Sequence, residues 1–163
     1  ILIESLPFIE NTKYNVSIIG RSEIDTENLI SLAKRKGVDS KIDWQLKFVS
    51  NKEVHNALFK CDILVFPYRH IDQSSVLMSS LSYGKPIIAS KLGGFDEILS
   101  HNINGYLFNP GSSKDLGFYL DKLVSSPKKR IIFGKNNLKL SEEWPSWKEI
   151  AKLTHDVYRD WYS

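Results

Sequence analysis

The sequence predicts an α/β fold, a doubly wound parallel sheet with helices on both faces. Three observations carry that expectation. Short apolar or β-branched runs alternate with amphipathic segments of about ten residues. Two of the runs, 63–66 and 86–90, lack the polar alternation of a half-exposed strand and read as strands covered on both faces. Glycine or proline stands at many of the segment boundaries. Helices placed between such strands imply right-handed crossovers.

The elements follow in order. Residues 16–20 form a β-branched run closed by Gly20. Asp25 or Thr26 caps the next helix, Leu29, Ile30, Leu32 and Ala33 give it an apolar face, and Gly37 stops it. A second strand is expected over 44–49, and Ser50-Asn51 opens a helix through Val54, Ala57 and Leu58. The strand 63–66 ends at Pro67. A helix follows over 74–83 with Val76, Leu77 and Leu81 inward and Gly84 as its stop. After the strand 86–90, Gly93-Gly94 leads into a short helix at Phe95, and Asn104-Gly105 precedes a strand at 106–108. A helix follows at 116–124. The last begins at Ser146 and carries Trp147, Ile150, Ala151, Val157, Tyr158 and Trp161, an aromatic face expected to pack.

Composition sets the outer limits. The 163 residues carry 22 Lys+Arg against 19 Asp+Glu, with 42% hydrophobic and 25% charged residues. This is an average globular make-up, which excludes disorder, collagen and a disulfide scaffold. The length suits one domain, 1–163, and no apolar run approaches the roughly 20 residues that span a bilayer. The single cysteine, Cys61, reads as a small core residue in a reducing compartment. A net charge of +3 without clustering argues against nucleic acid as a partner. Lys34-Arg35-Lys36 and Lys128-Lys129-Arg130 are expected as solvated faces near helix ends, favourable at a C-terminus, with contact to anionic lipid the minority reading. A chain opening on Ile1 reads as one whose natural N-terminus was removed.

Parallel sheets of this kind bind ligands at the carboxyl ends of their strands. The most informative such end is Phe66-Pro67-Tyr68-Arg69-His70-Ile71-Asp72-Gln73-Ser74-Ser75-Val76. A buried strand empties into a polar loop, and two small hydroxyl residues open a helix. The unpaired N–H groups of a first helical turn suit a phosphate, Ser74 and Ser75 let it approach, and Arg69 and His70 can add positive charge. An ordinary serine N-cap explains the same residues equally well.

Several blocks together resemble one family. They are Ile63 through Tyr68, Asp72 through Val76, Tyr83-Gly84-Lys85-Pro86 with the strand behind it, and Gly93-Gly94-Phe95-Asp96-Glu97-Ile98. Asn104-Gly105-Tyr106-Leu107-Phe108-Asn109-Pro110-Gly111 and Ser146-Trp147-Lys148-Glu149-Ile150-Ala151 complete the series. In this order they resemble the C-terminal, donor-binding half of family-4 retaining glycosyltransferases, whose Rossmann-like lobes pair in the GT-B fold. The resemblance implies a nucleotide-sugar donor whose diphosphate sits at Ser74-Ser75, with Asp72, Gln73, Val76 and Arg69 around it. It implies a cleft shared with an N-terminal acceptor lobe, a hydroxyl acceptor in surface polysaccharide or lipopolysaccharide synthesis, and no metal or other cofactor. A cytoplasmic protein, in peripheral contact with the inner face of the membrane, fits that role.

Two departures from the family pattern stand out. The family often carries a pair of glutamates at the positions held here by Ile71 and Ser79, and neither is a carboxylate. A branch with a Q-S-G-V block also lacks the pair, and Gln73-Ser74-Ser75-Val76 resembles that branch; no catalytic residue is assigned. Residues 1–9 resemble the first helix of the donor lobe, which the family precedes with a central strand and a loop carrying an Arg and a Lys. Without that strand, the strands at 16–20 and 63–66 either leave a gap or pair directly.

Weaker candidates are Ser79 for ribose, Arg21 for nucleotide or phosphate, and Glu97 for the donor sugar. Each has a plain alternative: a single hydrogen bond, a solvated arginine, a helix cap. No Cys/His cluster suggests zinc, and Ser74 has no His-Asp pairing for a hydrolase triad. Two other classes stay open: a non-catalytic lobe acting as an interaction or regulatory module, and a flavodoxin-like binding domain.

Overall fold

The computed structural model describes residues 1–22, 25–70 and 75–161, with Ser75 and Trp147 described by backbone alone. The chain opens with α1 (Leu2–Ser5) and a 3-10 turn (Leu6–Phe8), then β1 (Val16–Ile19) and α2 (Thr26–Arg35). A second 3-10 turn (Asp39–Lys41) leads to β2 (Ile42–Gln45), α3 (Asn51–Lys60), β3 (Leu64–Phe66), α4 (Ser75–Leu81) and β4 (Ile87–Ser90). After α5 (Phe95–Ile98) and β5 (Gly105–Phe108), the chain closes with α6 (Ser113–Val124), α7 (Pro127–Glu143) and α8 (Trp147–Trp161).

Side-chain caps define most helix starts, because the first N–H groups of a helix need outside acceptors. Asp25 accepts from the Glu27 N–H, Ser112 from Asp115 and Ser126 from Lys129. Ser50 and Glu53 form a reciprocal capping box at α3. Ser146 and Glu149 make the same exchange at α8.

All strand pairs are parallel, as the alternation of elements requires, but they fall into two sheets, β1–β2 and β3–β4–β5. Among the described residues β1 and β3 do not pair, so of the two outcomes open at this place the chain takes the gap. Both sheets lie on one core. Ile3 and Leu6 meet Ile42, Ile88, Tyr106, Phe108 and the α6 leucines there, with Val16, Ile18 and Val65 at its edge. The other face of β3–β4–β5 carries a second core, in which Phe66, Ile87 and Ala89 pack under Leu77, Leu81, Phe95 and Leu99. This sheet therefore has helices on both faces.

Some expectations shift. The second strand lies at 42–45 and not 44–49: Ile42 is buried opposite Val16, whereas the Lys47 N–H folds back onto the Gln45 carbonyl and Phe48 is 82% exposed. In β3, Leu64 and Val65 are only half-buried; among the described residues this strand pairs with β4 alone. Val76 points outward at 42% exposure; Leu77, Ser80 and Leu81 form the inner face of α4 instead. The Ser80 hydroxyl is accommodated there by donating to the Val76 carbonyl at 2.6 Å. Cys61 is half-buried at the end of α3, its thiol pushed up by burial.

Helix α7 is an addition to the expected series. Lys128, Lys129 and Arg130 lie in its first turn, not at its C-terminus. The cations are tolerated because two reach elsewhere. The Arg130 guanidinium donates to the Leu123 and Val124 carbonyls at the end of α6, and Lys129 to the Tyr106 hydroxyl at 2.8 Å. Lys34-Arg35-Lys36 do end a helix, α2. The aromatic face of α8 does not pack within this chain: Leu153, Val157, Tyr158 and Trp161 are 61–83% exposed.

Candidate functional site

Within the three-stranded sheet the carboxyl ends of β3, β4 and β5 point the same way, and their loops converge there. At β4 the Leu92 N–H closes a tight turn on the Ser90 carbonyl. Gly93 then takes a left-handed φ of 48°, which only glycine adopts without strain, and Phe95 anchors α5 in the second core. The loop after β5 is held by Asn109, whose side chain donates to Asp115 at 3.0 Å, while its carbonyl accepts from the Ser112 N–H.

The end of β3 is tied to its neighbour by one buried hydroxyl. Ser90 donates to the Tyr68 carbonyl at 2.6 Å and is itself fully buried. Pro67 and Tyr68 therefore leave the sheet in a fixed direction, and Arg69 and His70 emerge into solvent beyond them. On the same side is the start of α1. Glu4 lies there within the field of the Arg69 charge.

The sequence candidates divide as follows. Asp72, Gln73 and Ser74 lie outside the described residues. Ser75 is the first residue of α4. Val76 is exposed one residue later, so that Arg69 and Val76 flank the same short segment. Ser79 is exposed on α4, its carbonyl accepting from Ser82. Arg21 is exposed just beyond Gly20, at the end of β1 in the other sheet. Glu97 is exposed in the first turn of α5 and lines a cavity of about 380 Å³ with Ser100, Asn104, Asn136, Lys139 and Glu143. Asn104 precedes β5, so this cavity opens toward the amino end of that strand. The structure thus groups Glu97 with α7 and not with Arg69.

Sequence reasoning missed one member of the β3 end. The Tyr68 ring lies near-parallel to Phe66 and Phe95, with centroids 6.4 and 5.8 Å away, and is 37% exposed. The signal was available: Tyr68 follows Phe66 by two, the spacing of one strand face. Among the described residues no group of three or more His, Cys, Asp or Glu side chains could hold a metal ion.

Comparison with known proteins bears on this arrangement. The sequence model of the family described as "Glycosyl transferases group 1" matches residues 1–140. An uncharacterized glycosyltransferase of Methanocaldococcus jannaschii is 27% identical over 159 residues, which is 97% of this chain and 40% of that protein. The lipopolysaccharide 1,2-N-acetylglucosaminetransferase of Salmonella typhimurium is 23% identical over 116 residues, covering 69% of this chain and 30% of its own length. Among solved structures, Anabaena HepE in complex with UDP superposes with a TM-score of 0.88 at 19% identity, over 98% of this chain and 44% of that one. A complex of the same protein with UDP-glucose gives 0.86. The chain therefore spans less than half the length of these proteins.

Proposed function

Because this chain belongs to the group 1 glycosyl transferases, we propose that it is the donor-binding lobe of an enzyme that moves a sugar from a nucleoside diphosphate to a hydroxyl acceptor. One observation carries the reading. The family match runs through a sheet whose carboxyl ends gather a basic loop, a serine-led helix and a glycine turn. A structurally similar protein has been solved with UDP and with UDP-glucose.

The donor's diphosphate is assigned to the segment from Arg69 to Val76. Asp72, Gln73, Ser74 and Ser75 supply backbone N–H groups and hydroxyls, and Arg69 supplies charge. As the sugar leaves, negative charge grows on the diphosphate, and hydrogen-bond donors and positive charge directed at it lower the barrier. Arg21 and Ser79 are assigned to the nucleoside side, each exposed and able to reach a ligand. Glu97 is the weakest assignment, since its cavity opens elsewhere. We assign retention of configuration and a surface-polysaccharide or lipopolysaccharide acceptor on the same family grounds; the Salmonella relative supports the second.

Helix α8 is assigned to contact with the partner lobe. Helix α8 exposes Leu153, Val157, Tyr158 and Trp161 along one side, and an apolar face of that kind is stable when covered by protein. Its charges balance, Lys148, Lys152 and Arg159 against Glu149, Asp156 and Asp160, so attraction to an anionic membrane is not the feature that stands out. No helix among the described residues is long and apolar enough to cross a membrane. A cytoplasmic protein with peripheral contact to the inner face of the membrane remains our assignment for the whole enzyme.

Titration of the full protein with UDP, GDP and ADP, by calorimetry and by NMR, tests the reading. The expected result is saturable binding of one nucleotide with shifts from Arg69 to Val76. Absence of binding, or shifts confined to the Glu97 cavity, overturns it. Binding without sugar transfer to any acceptor selects the regulatory lobe, which the residues at 71 and 79 favour.

A further inference from the structure

We propose that Tyr68 is the platform on which the hexose ring of the donor stacks, a specificity-determining role that rests on the nucleotide-sugar reading above. Tyr68 lies two residues beyond β3, where its ring packs back on two aromatic side chains of the second core. Phe66, 7% exposed, and Phe95, 2% exposed, lie beside it at near-parallel angles of 14° and 23°. Its backbone carbonyl is pinned by Ser90 at 2.6 Å. Ring and main chain are therefore fixed before any ligand arrives, which removes most of the ordering cost of a stacking contact.

The surroundings define the ligand. More than a third of Tyr68 is left open just beyond the carboxyl end of β3. The two residues that follow, Arg69 and His70, are exposed. An aromatic surface beside the Arg69 cation suits a molecule with an apolar ring face next to an anion. A hexopyranose has such a face, formed by its axial C–H bonds, and in a sugar nucleotide its anomeric carbon carries the diphosphate. A free nucleoside diphosphate offers the anion without the sugar face, and that difference supplies the test.

The full protein is titrated with two matched pairs, UDP with UDP-glucose and GDP with GDP-mannose. Wild type, Tyr68→Phe, Tyr68→Leu and Tyr68→Ala are compared, and thermal melts establish which variants are folded. For the pair that binds, Tyr68→Leu and Tyr68→Ala are expected to weaken the sugar nucleotide about fivefold while leaving the free diphosphate within twofold. Tyr68→Phe keeps the wild-type ratio. Because leucine retains the apolar packing, its result decides the matter if alanine unfolds the end of β3. Equal weakening of sugar nucleotide and diphosphate, or an unchanged ratio in Tyr68→Leu, overturns the platform and leaves the donor site standing. Wild-type protein that binds none of the four ligands overturns both.

Discussion

The two sheets of this molecule are built from similar strands and end up in different environments. In β4 all four residues are buried, and both faces of its sheet are packed. In β1 and β2 only Ile42 is fully buried, and Ser17, Asp43 and Gln45 face solvent. A parallel strand reaches complete burial when it has a neighbour on each edge and a helix on each face. β4 has all four; β1 has one paired edge and one covered face. Helix α3, which links the sheets, buries only Leu58. The difference shows that apolar character in a strand records the architecture it was made for, while burial records the neighbours it has.

Paired truncations test this contrast most directly. Ile88→Ala, in a fully buried site on β4, is expected to cost about 2 to 5 kcal/mol in urea melts. Ile18→Ala, half-buried on β1, should cost about 1 kcal/mol, since less surface leaves water. Equal costs would mean that β1 is as enclosed as β4, and the contrast would fail. Next in size is Gly134→Ala. A methyl there collides with the Gly84 carbonyl oxygen, backbone that cannot swing away, so about 1 to 3 kcal/mol is expected despite alanine's higher helix propensity. A stabilised variant would show that α7 can lift from the sheet.

Smaller effects belong to α3, which is held more by its cap than by burial. Ser50→Ala removes the acceptor for the Glu53 N–H and should cost about 1 kcal/mol. The last effect is a pH dependence. The Ser50 N–H, then the Ser50 hydroxyl, then Lys47 lower the Glu53 carboxyl from 4.5 to about 2. A carboxylate lowered in the folded state adds stability that is present above its unfolded value and lost as pH falls through the folded one. The Tm difference between wild type and Glu53→Gln should therefore be constant above pH 4.5 and vanish near pH 2. A difference unchanged down to pH 2 would place the cap's strength elsewhere.

Periodicity made most of the architecture legible. The runs at 16–20, 63–66 and 86–90 each became a strand within a residue or so, and Asp25, Ser50 and Ser146 cap the helices they were expected to open. Residues 42–45 were harder. Ile-Asp-Trp-Gln alternates apolar and polar, but Trp44 through Val49 carries more apolar bulk, and register against Val16 decided between them. Helix α7 was hidden by its composition, with Lys128, Lys129 and Arg130 at a helix start, where a dipole argument alone disfavours them. The reach of Arg130 to α6 and of Lys129 to the Tyr106 hydroxyl explains the exception. The candidate site was legible as a place, the end of β3. Tyr68 was legible only in its spacing from Phe66; its packing on Phe95, distant in sequence, was not.

Asn137 has a mechanical consequence. Its buried amide donates to the Lys85 carbonyl at 2.7 Å and to the Asn104 carbonyl at 2.9 Å, joining the residues that lead into β4 and β5. With Gly134 seated on Gly84 and Asn136 holding the Ile103 carbonyl, α7 clamps the sheet at the amino ends of those strands. At the opposite ends the Ser90 hydroxyl and the Lys91 N–H join the strands. The sheet is a cantilever, rigid at its root. Strand register is thus held from the end opposite the β3 loop, and a change in that loop leaves it unaltered.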